Sequence, residues 1–271
     1  IGDDNLPFEN AGVLKTTGFE LQAKWSDKLS NGFAYSVGVA LSDDKAEVLS
    51  YPSNPTNKIG DGVLYKGYTV GDIWGYETGG ILQESDFDGV GPNGKPLYHG
   101  AYFKGGQPYP GYVWYQDLDH DGVITSGLST VDDPGDKKVI GNNAPRYRYN
   151  ITANFQYKGF DLDLMFQGVG KRDYWLKDVS SYWGGGAGSW ETYNQSWTPE
   201  RTDAKFPMYG SGIGSYAQSG YLLDASYIKL KQVILGYTFP KALIGKVGLE
   251  KLRLNIAAYN LFTLSDVPKY Y

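Results

Sequence analysis

The chain has 271 residues, a formal net charge of -5 at pH 7 and no cysteine. The negative charge, with no compensating Lys/Arg cluster, argues against nucleic acid as a partner, and the lack of cysteine excludes disulfide frameworks, thiolate zinc sites and cysteine nucleophiles. No apolar run approaches the roughly 18 residues of a membrane helix, whereas 24 Tyr, 7 Trp and 37 Gly are typical of β-structure with many turns.

Six segments in which apolar and polar residues alternate predict β-strands. The clearest covers residues 145–157, where Tyr, Ile and Phe side chains alternate with Arg, Asn, Thr and Gln, and a Lys158-Gly159 turn joins it to the next strand. In chain order, the predicted strands cover about residues 15–26, 32–42, 145–157, 159–170, 225–239 and 251–262.

The length and the polar faces of these segments favour a membrane barrel over a soluble β-sandwich. They are about 10 to 14 residues long, whereas ordinary strands average about 5 to 6 and a tilted membrane-crossing strand needs about 9 to 11. Their polar faces carry charges of both signs, as a hydrated lumen requires. In the fifth segment the alternation shifts after Leu230, which predicts either a bulge near Gln232 or a strand whose two faces are both partly covered.

The connections between the predicted strands alternate between short and long. Short turns at residues 27–31, 158–159 and about 240–250 would lie on the periplasmic side, and residues 43–144 and 171–224 would be long extracellular loops. The prediction is therefore an all-β fold, a segment of an antiparallel up-and-down transmembrane β-barrel. Because six strands cannot close a barrel of ordinary size, we expect the segment to belong to a larger barrel.

Several motifs resemble the C-terminal region of SusC-like (RagA-like) TonB-dependent outer-membrane transporters. SYIKLKQVILGYTFP (Ser226 to Pro240), followed by LRLNIAAYNLFTL (Leu252 to Leu264), is similar to the family's closing strands. VGDIWGYETGGIL (Val70 to Leu82) and DLDHDGVI resemble elements that precede those strands, and the pieces occur in the family's order over most of the chain.

The resemblance implies part of a barrel of about 22 strands that imports glycans or peptides across the outer membrane of Bacteroidetes-type bacteria. It also implies surrounding outer-membrane lipid, a SusD-like surface lipoprotein as a lid, and energy supplied by TonB through N-terminal parts. The plug domain, the earlier strands and the final strand are expected to lie outside residues 1–271. On this interpretation the chain is not an enzyme.

One acidic segment has the spacing of a calcium-binding loop. Asp117, Asp119 and Asp121 alternate, Gly122 stands at the sixth position where the chain must turn, and Val123 offers a carbonyl at the seventh. Position twelve is Leu128, whereas the resembling family usually has an acid there. We therefore predict an insertion, with Asp132 or Asp133 completing a structural calcium site; the alternative is an acidic turn that binds nothing specific.

An aromatic group surrounds the glycine run at residues 184–188 in the second long loop. Its members could stack on a ligand or contact a partner, with Trp183, Trp190 and Trp197 as the candidates, or they could form a small core that holds the loop together. The core interpretation is slightly favoured. No GK[ST] sequence follows the glycines, so the run is not a phosphate-binding loop.

Two other functions remain open at this point. The first alternative is a soluble, calcium-stabilised glycan-binding β-domain, and the second is a glycan-degrading enzyme. Asp161 and Asp163 lie two residues apart on one strand among many polar neighbours, which indicates wall lining rather than a catalytic pair. If Tyr147, Ile151, Phe155, Leu162, Leu164 and Phe166 met a second sheet across a shared core, the transporter interpretation would be wrong.

Overall fold

Six long strands form one antiparallel sheet in the computed structural model, which describes residues 11–175, 190–211 and 216–267. Neighbours in the sheet are also neighbours along the chain, and every pair from the second strand onward is antiparallel. The predicted all-β, up-and-down fold class is confirmed for this segment. The strands are β1 Val13–Lys28, β2 Ala34–Ser50, β3 Arg146–Tyr157, β4 Phe160–Lys171, β5 Tyr227–Thr238 and β6 Arg253–Ser265.

Strand β2 is longer than the sequence predicted. The predicted strand ends at residue 42, whereas the observed strand continues through Asp43 and Asp44 to Ser50. Asp43 is held in the sheet because its carboxylate accepts hydrogen bonds from Nε of Arg146 at 2.6 Å and from the backbone N–H of Tyr147 at 3.1 Å. A paired carboxylate therefore replaces the apolar residue that the pattern required.

The shifted alternation in β5 is explained by a β-bulge. Leu230 pairs with Phe166 and Gln232 pairs with Met165, so Lys231 is the extra residue. The extra residue shifts the alternation by one position, so that Leu230 before the bulge and Val233 after it lie on the same face of the sheet. Of the two alternatives that the sequence left open, the bulge is confirmed.

The two faces of the sheet differ in chemistry. One face is apolar and includes Ile151, Phe155, Leu162, Leu164 and Phe166, none of which is buried, and Tyr147 is exposed. Both clusters of buried hydrophobic residues found in the described part of the chain lie elsewhere, between residues 48 and 124. These side chains therefore do not pack on a second sheet across a shared core, which argues against a β-sandwich.

A second compact unit includes, among the described residues, 11–15, 46–143, 174–175, 190–211 and 216–223, so the regions predicted as loops carry structure of their own. Its buried clusters contain Val48, Ile59, Tyr65 and Tyr68, and Tyr76, Val113, Tyr115 and Ile124. The short strands pair as Asp72–Tyr76 with Lys137–Asn142, Thr78–Ile81 with Val113–Tyr115, Phe87–Val90 with Pro96–Tyr98, Tyr102–Phe103 in parallel with Val123–Ile124, and Asp173–Trp175 with Leu222–Asp224.

Helical structure is limited to short pieces. The α-helices are α1 Trp190–Asn194 and α2 Lys241–Ile244, and 3-10 turns cover Glu84–Asp86, Ser219–Tyr221 and Gly245–Val247. Within the described ranges, none of these helices has the length and apolar character needed to span a membrane.

Candidate functional site

Three carboxylates converge in the acidic loop of the second unit. One oxygen each from Asp117, Asp119 and Asp136 lies within 4.8 Å of the other two. Asp136 is fully buried, and its two oxygens accept hydrogen bonds from the backbone N–H groups of Leu118 at 2.8 Å and Thr125 at 2.7 Å. This side chain therefore fastens both ends of the loop, and its charge lies close to half-buried Asp117 and exposed Asp119.

The backbone of this loop has the sharp turn that its sequence predicted. Gly122 has a φ of 85°, and its N–H donates to Oδ2 of Asp117 at 2.9 Å. The carboxylate of Asp121 accepts from the N–H of Val123 at 2.8 Å, which directs the chain into the short strand at Val123–Ile124. The buried side chain of Ile124 then anchors the end of the loop in the core.

The third carboxylate of this group is Asp136, whereas the sequence offered Asp132 or Asp133. Asp132 and Asp133 are exposed and lie outside the carboxylate group, whose third member is Asp136. The residues between Thr125 and Asp136 form a loop that is closed at its base, because the N–H of Asp136 donates to the carbonyl of Thr125 at 3.1 Å. Asp132 and Asp133 lie in this inserted loop, away from Asp117 and Asp119, and the chain returns to them at Asp136. Asp121 also lies outside the group, since its carboxylate serves the local turn.

The charges in the loop are only partly compensated. Partial burial raises the pKa of Asp117, but hydrogen bonds from the N–H groups of Gly122, His120 and Asp121 outweigh it and leave that pKa below 3.8. The pKa of Asp119 lies above 3.8, chiefly because of desolvation and then because of repulsion from Asp136 and Asp121. Oδ1 of Asp117 is shielded from solvent and has no hydrogen-bond partner. Three hard oxygen donors with one unsatisfied lone-pair site suit a divalent cation such as calcium.

The candidate tryptophans have separate environments. Trp197 is 4% exposed, and its Nε1 donates to Oε1 of Gln83 at 2.9 Å, so it belongs to the packed interior as the core interpretation predicted. Trp190 is 73% exposed and stacks on Tyr193 with ring centroids 5.6 Å apart, so it is available for contact. Trp183 lies outside the described residues.

The polar face of the six-stranded sheet is a network of paired side chains. Ser36 donates to Asn154 at 2.9 Å, and Asn154 donates to Asp163. Nε of Arg253 donates to Asp161 at 3.2 Å, and a second guanidinium nitrogen pairs with the same carboxylate. Asp161 and Asp163 are therefore both engaged in structural pairs that cross strands, as expected of wall lining.

Comparison with known proteins gives three curated relatives, all from Formosa agariphila and each named a TonB-dependent receptor. TonB-dependent receptors P3, P26 and P39 are 28%, 25% and 23% identical to this chain and match 96%, 97% and 96% of it. The chain spans about a quarter of their length, 25%, 26% and 28% respectively. No protein-family model matches. The resemblance to TonB-dependent receptors that the motifs indicated is confirmed along nearly the whole chain.

Solved structures give the same fold. The structure of the RagAB peptide transporter aligns with a TM-score of 0.68 at 17% identity, covering 94% of this chain and 26% of that one. The RagAB peptide importer in its closed-closed state aligns with a TM-score of 0.66 at 17% identity. At these identities the likeness establishes the fold alone.

Proposed function

We propose that this chain, similar to TonB-dependent receptors along nearly its whole length, is a wall segment with two elaborated outer connections of an outer-membrane nutrient importer. The observation that carries the proposal is the six-stranded sheet, which has one unburied apolar face and one face of paired charges. Such a sheet suits lipid on one side and water on the other. The similarity of the fold to that of the RagAB peptide transporter supports the same proposal.

The finer parts of the proposal concern cargo and partners. The importer takes up peptides or glycans, works with a SusD-like surface lipoprotein as its lid, and couples to TonB through parts of the protein outside this chain. The support is the sequence resemblance, together with the similarity to TonB-dependent receptors and to the RagAB peptide transporter.

Cell fractionation and uptake test the proposal together. The full-length protein should occur in the outer-membrane fraction and co-purify with a surface lipoprotein, and its deletion should abolish uptake of either labelled oligopeptides or labelled oligosaccharides. Complementation with the wild-type gene provides the control. Recovery of the protein in buffer without detergent, folded and monomeric, would contradict the proposal and favour a soluble binding domain.

We also propose that Asp117, Asp119 and Asp136 hold a calcium ion with a structural role. A divalent cation would offset the repulsion among these carboxylates, which together with the larger effect of desolvation raises the pKa of Asp119, and it would satisfy Oδ1 of Asp117. Its binding would stabilise a connection of about 100 residues against the entropy of the unfolded chain.

Metal binding by this loop should depend on pH. The pKa of Asp119 is raised in the folded loop, so protonation of Asp119 stabilises the metal-free folded loop at low pH. This stabilisation is lost as pH rises through the folded pKa, and the ionised carboxylate then binds the metal. Hydrogen bonds lower the pKa of Asp117, whereas desolvation and repulsion raise the pKa of Asp119, so Asp119 is the member of this pair that takes up a proton first as pH falls. Terbium, which replaces calcium and luminesces when excited through Tyr or Trp, should bind about tenfold more weakly for each pH unit below the pKa of Asp119.

The matched variant for this experiment is Asp119→Asn. It should abolish most of the luminescence, and competition with calcium should remove what the wild type gives. Equal terbium binding by the variant and the wild type, or wild-type binding that does not weaken as pH falls through the titration of Asp119, would contradict the calcium proposal.

A further inference from the structure

The connection between β5 and β6 is folded compactly rather than extended. The N–H of Leu243 donates to the carbonyl of Pro240 at 2.9 Å, and the N–H of Leu249 donates to the carbonyl of Ile244 at 3.2 Å. Ile244 is buried, and Gly248, with a φ of 78°, ends the second helical turn. Residues 240–251 therefore present a fixed outer surface.

That outer surface is both apolar and basic. Leu243, Val247 and Leu249 are 59%, 73% and 45% exposed. Three exposed lysines, Lys241, Lys246 and Lys251, lie among them along the chain and outnumber the one acidic residue of the segment, Glu250, which is also exposed. Large apolar side chains next to lysines are the composition of segments that lie in a membrane interface.

The position of this surface in the sheet agrees with its composition. Consecutive strands run in opposite directions, so the short connections after β1, β3 and β5 all lie at the same end of the strands. Aromatic side chains lie at that end of the sheet. The ring centroids of Phe160 and Tyr237 are 4.5 Å apart, and those of Tyr237 and Phe239 are 4.9 Å apart. Lys158 lies over the ring of Tyr157 at 5.0 Å. Aromatic belts of this kind mark the level of the lipid headgroups.

We infer that residues 240–251 form an interfacial anchor that binds anionic phospholipid on the side of the short turns. The three apolar side chains enter the boundary between headgroups and acyl chains, and the lysines contact lipid phosphates. The inference rests on the proposed membrane function and adds to it a site with a stated ligand chemistry. The anchor would fix the height of β5 and β6 relative to the bilayer.

Lipid contact can be measured site by site because the chain has no cysteine. The full-length protein, with any cysteines outside this chain replaced, is labelled with bimane at Val247→Cys, Ile256→Cys or Leu128→Cys and reconstituted in phosphatidylcholine vesicles. Brominated phosphatidylcholine or brominated phosphatidylglycerol is then included at equal mole fraction, and quenching is compared. Ile256 lies on the apolar face of β6, and Leu128 is an exposed leucine in a long connection.

Quenching of the label at residue 247 should give an apparent affinity for the anionic lipid that is about fivefold higher than for the zwitterionic lipid. The triple variant Lys241→Gln, Lys246→Gln and Lys251→Gln should remove that preference without removing the quenching. At residue 256 both lipids should quench equally, and at residue 128 neither should quench. A label at Leu243→Cys provides a second reading if the Val247 variant does not assemble.

The outcomes separate this inference from the proposed function. Quenching at residue 256 with none at residues 247 and 243 would overturn the anchor alone and indicate that water or another protein covers the surface. Equal quenching by both lipids at residue 247 would overturn the anionic preference. Loss of quenching at residue 256 as well would overturn the membrane function itself.

Discussion

Leu164→Arg should prevent most of the protein from assembling, whereas Met165→Arg, the same substitution one residue away, should be tolerated. Leu164 lies near the middle of β4 on the apolar face and pairs with Ala153 and Val233. Met165 points to the opposite face, where it pairs with Thr152 and Gln232. An arginine at the lipid-facing midplane of a barrel costs about 2–4 kcal/mol, and a lumen-facing arginine remains hydrated.

The measurement for this pair is the amount of folded, heat-modifiable protein in the outer membrane, together with thermal unfolding in detergent. The Leu164 variant should show strongly reduced folded protein, and the Met165 variant should stay within about 0.5 kcal/mol of the wild type. If both variants assembled equally well, the apolar face would not be facing lipid. If Met165→Arg were the more damaging change, the two faces would have been assigned in reverse.

The main sheet could be predicted from the sequence because side-chain alternation has a period of two and each face has a single environment. That local rule identified β3 and β4, and it offered a bulge near Gln232 as one of two alternatives, which the structure places at Lys231, where the period slips by one residue. The rule failed at Asp43, whose place in β2 depends on Arg146, a residue about 100 positions away. Pairing across such a distance leaves no periodic signal in either segment.

The metal site could be predicted only in part, for a related reason. The spacing of Asp117, Asp119 and Gly122 is local and identifies the first half of the loop. Asp136 joins the group, rather than Asp132 or Asp133, because the inserted loop closes with a backbone hydrogen bond between Asp136 and Thr125. Similarly, composition did not distinguish buried Trp197 from exposed Trp190, since burial depends on packing by distant residues such as Gln83.

Asp136→Ala should open the acidic loop even when no metal is present. The substitution removes a buried carboxylate and leaves the part-buried N–H groups of Leu118 and Thr125 without their acceptors. Each buried donor without a partner costs about 1–3 kcal/mol, so the population of opened loop should rise about 30-fold or more. Limited proteolysis of the full-length protein, with cleavage mapped to residues 117–136, measures that population.

Asp119→Asn is the control that separates the structural role of Asp136 from calcium binding. Asp119 is exposed, so its variant should resist protease in chelator at least as well as the wild type, because it removes repulsion among the carboxylates. Calcium should then protect the wild type and leave the Asp119 variant unchanged, while Asp136→Ala stays sensitive in both conditions. Wild-type resistance of Asp136→Ala in chelator would mean that the two backbone hydrogen bonds do not hold the loop, and the carboxylate group would lose its fixed member.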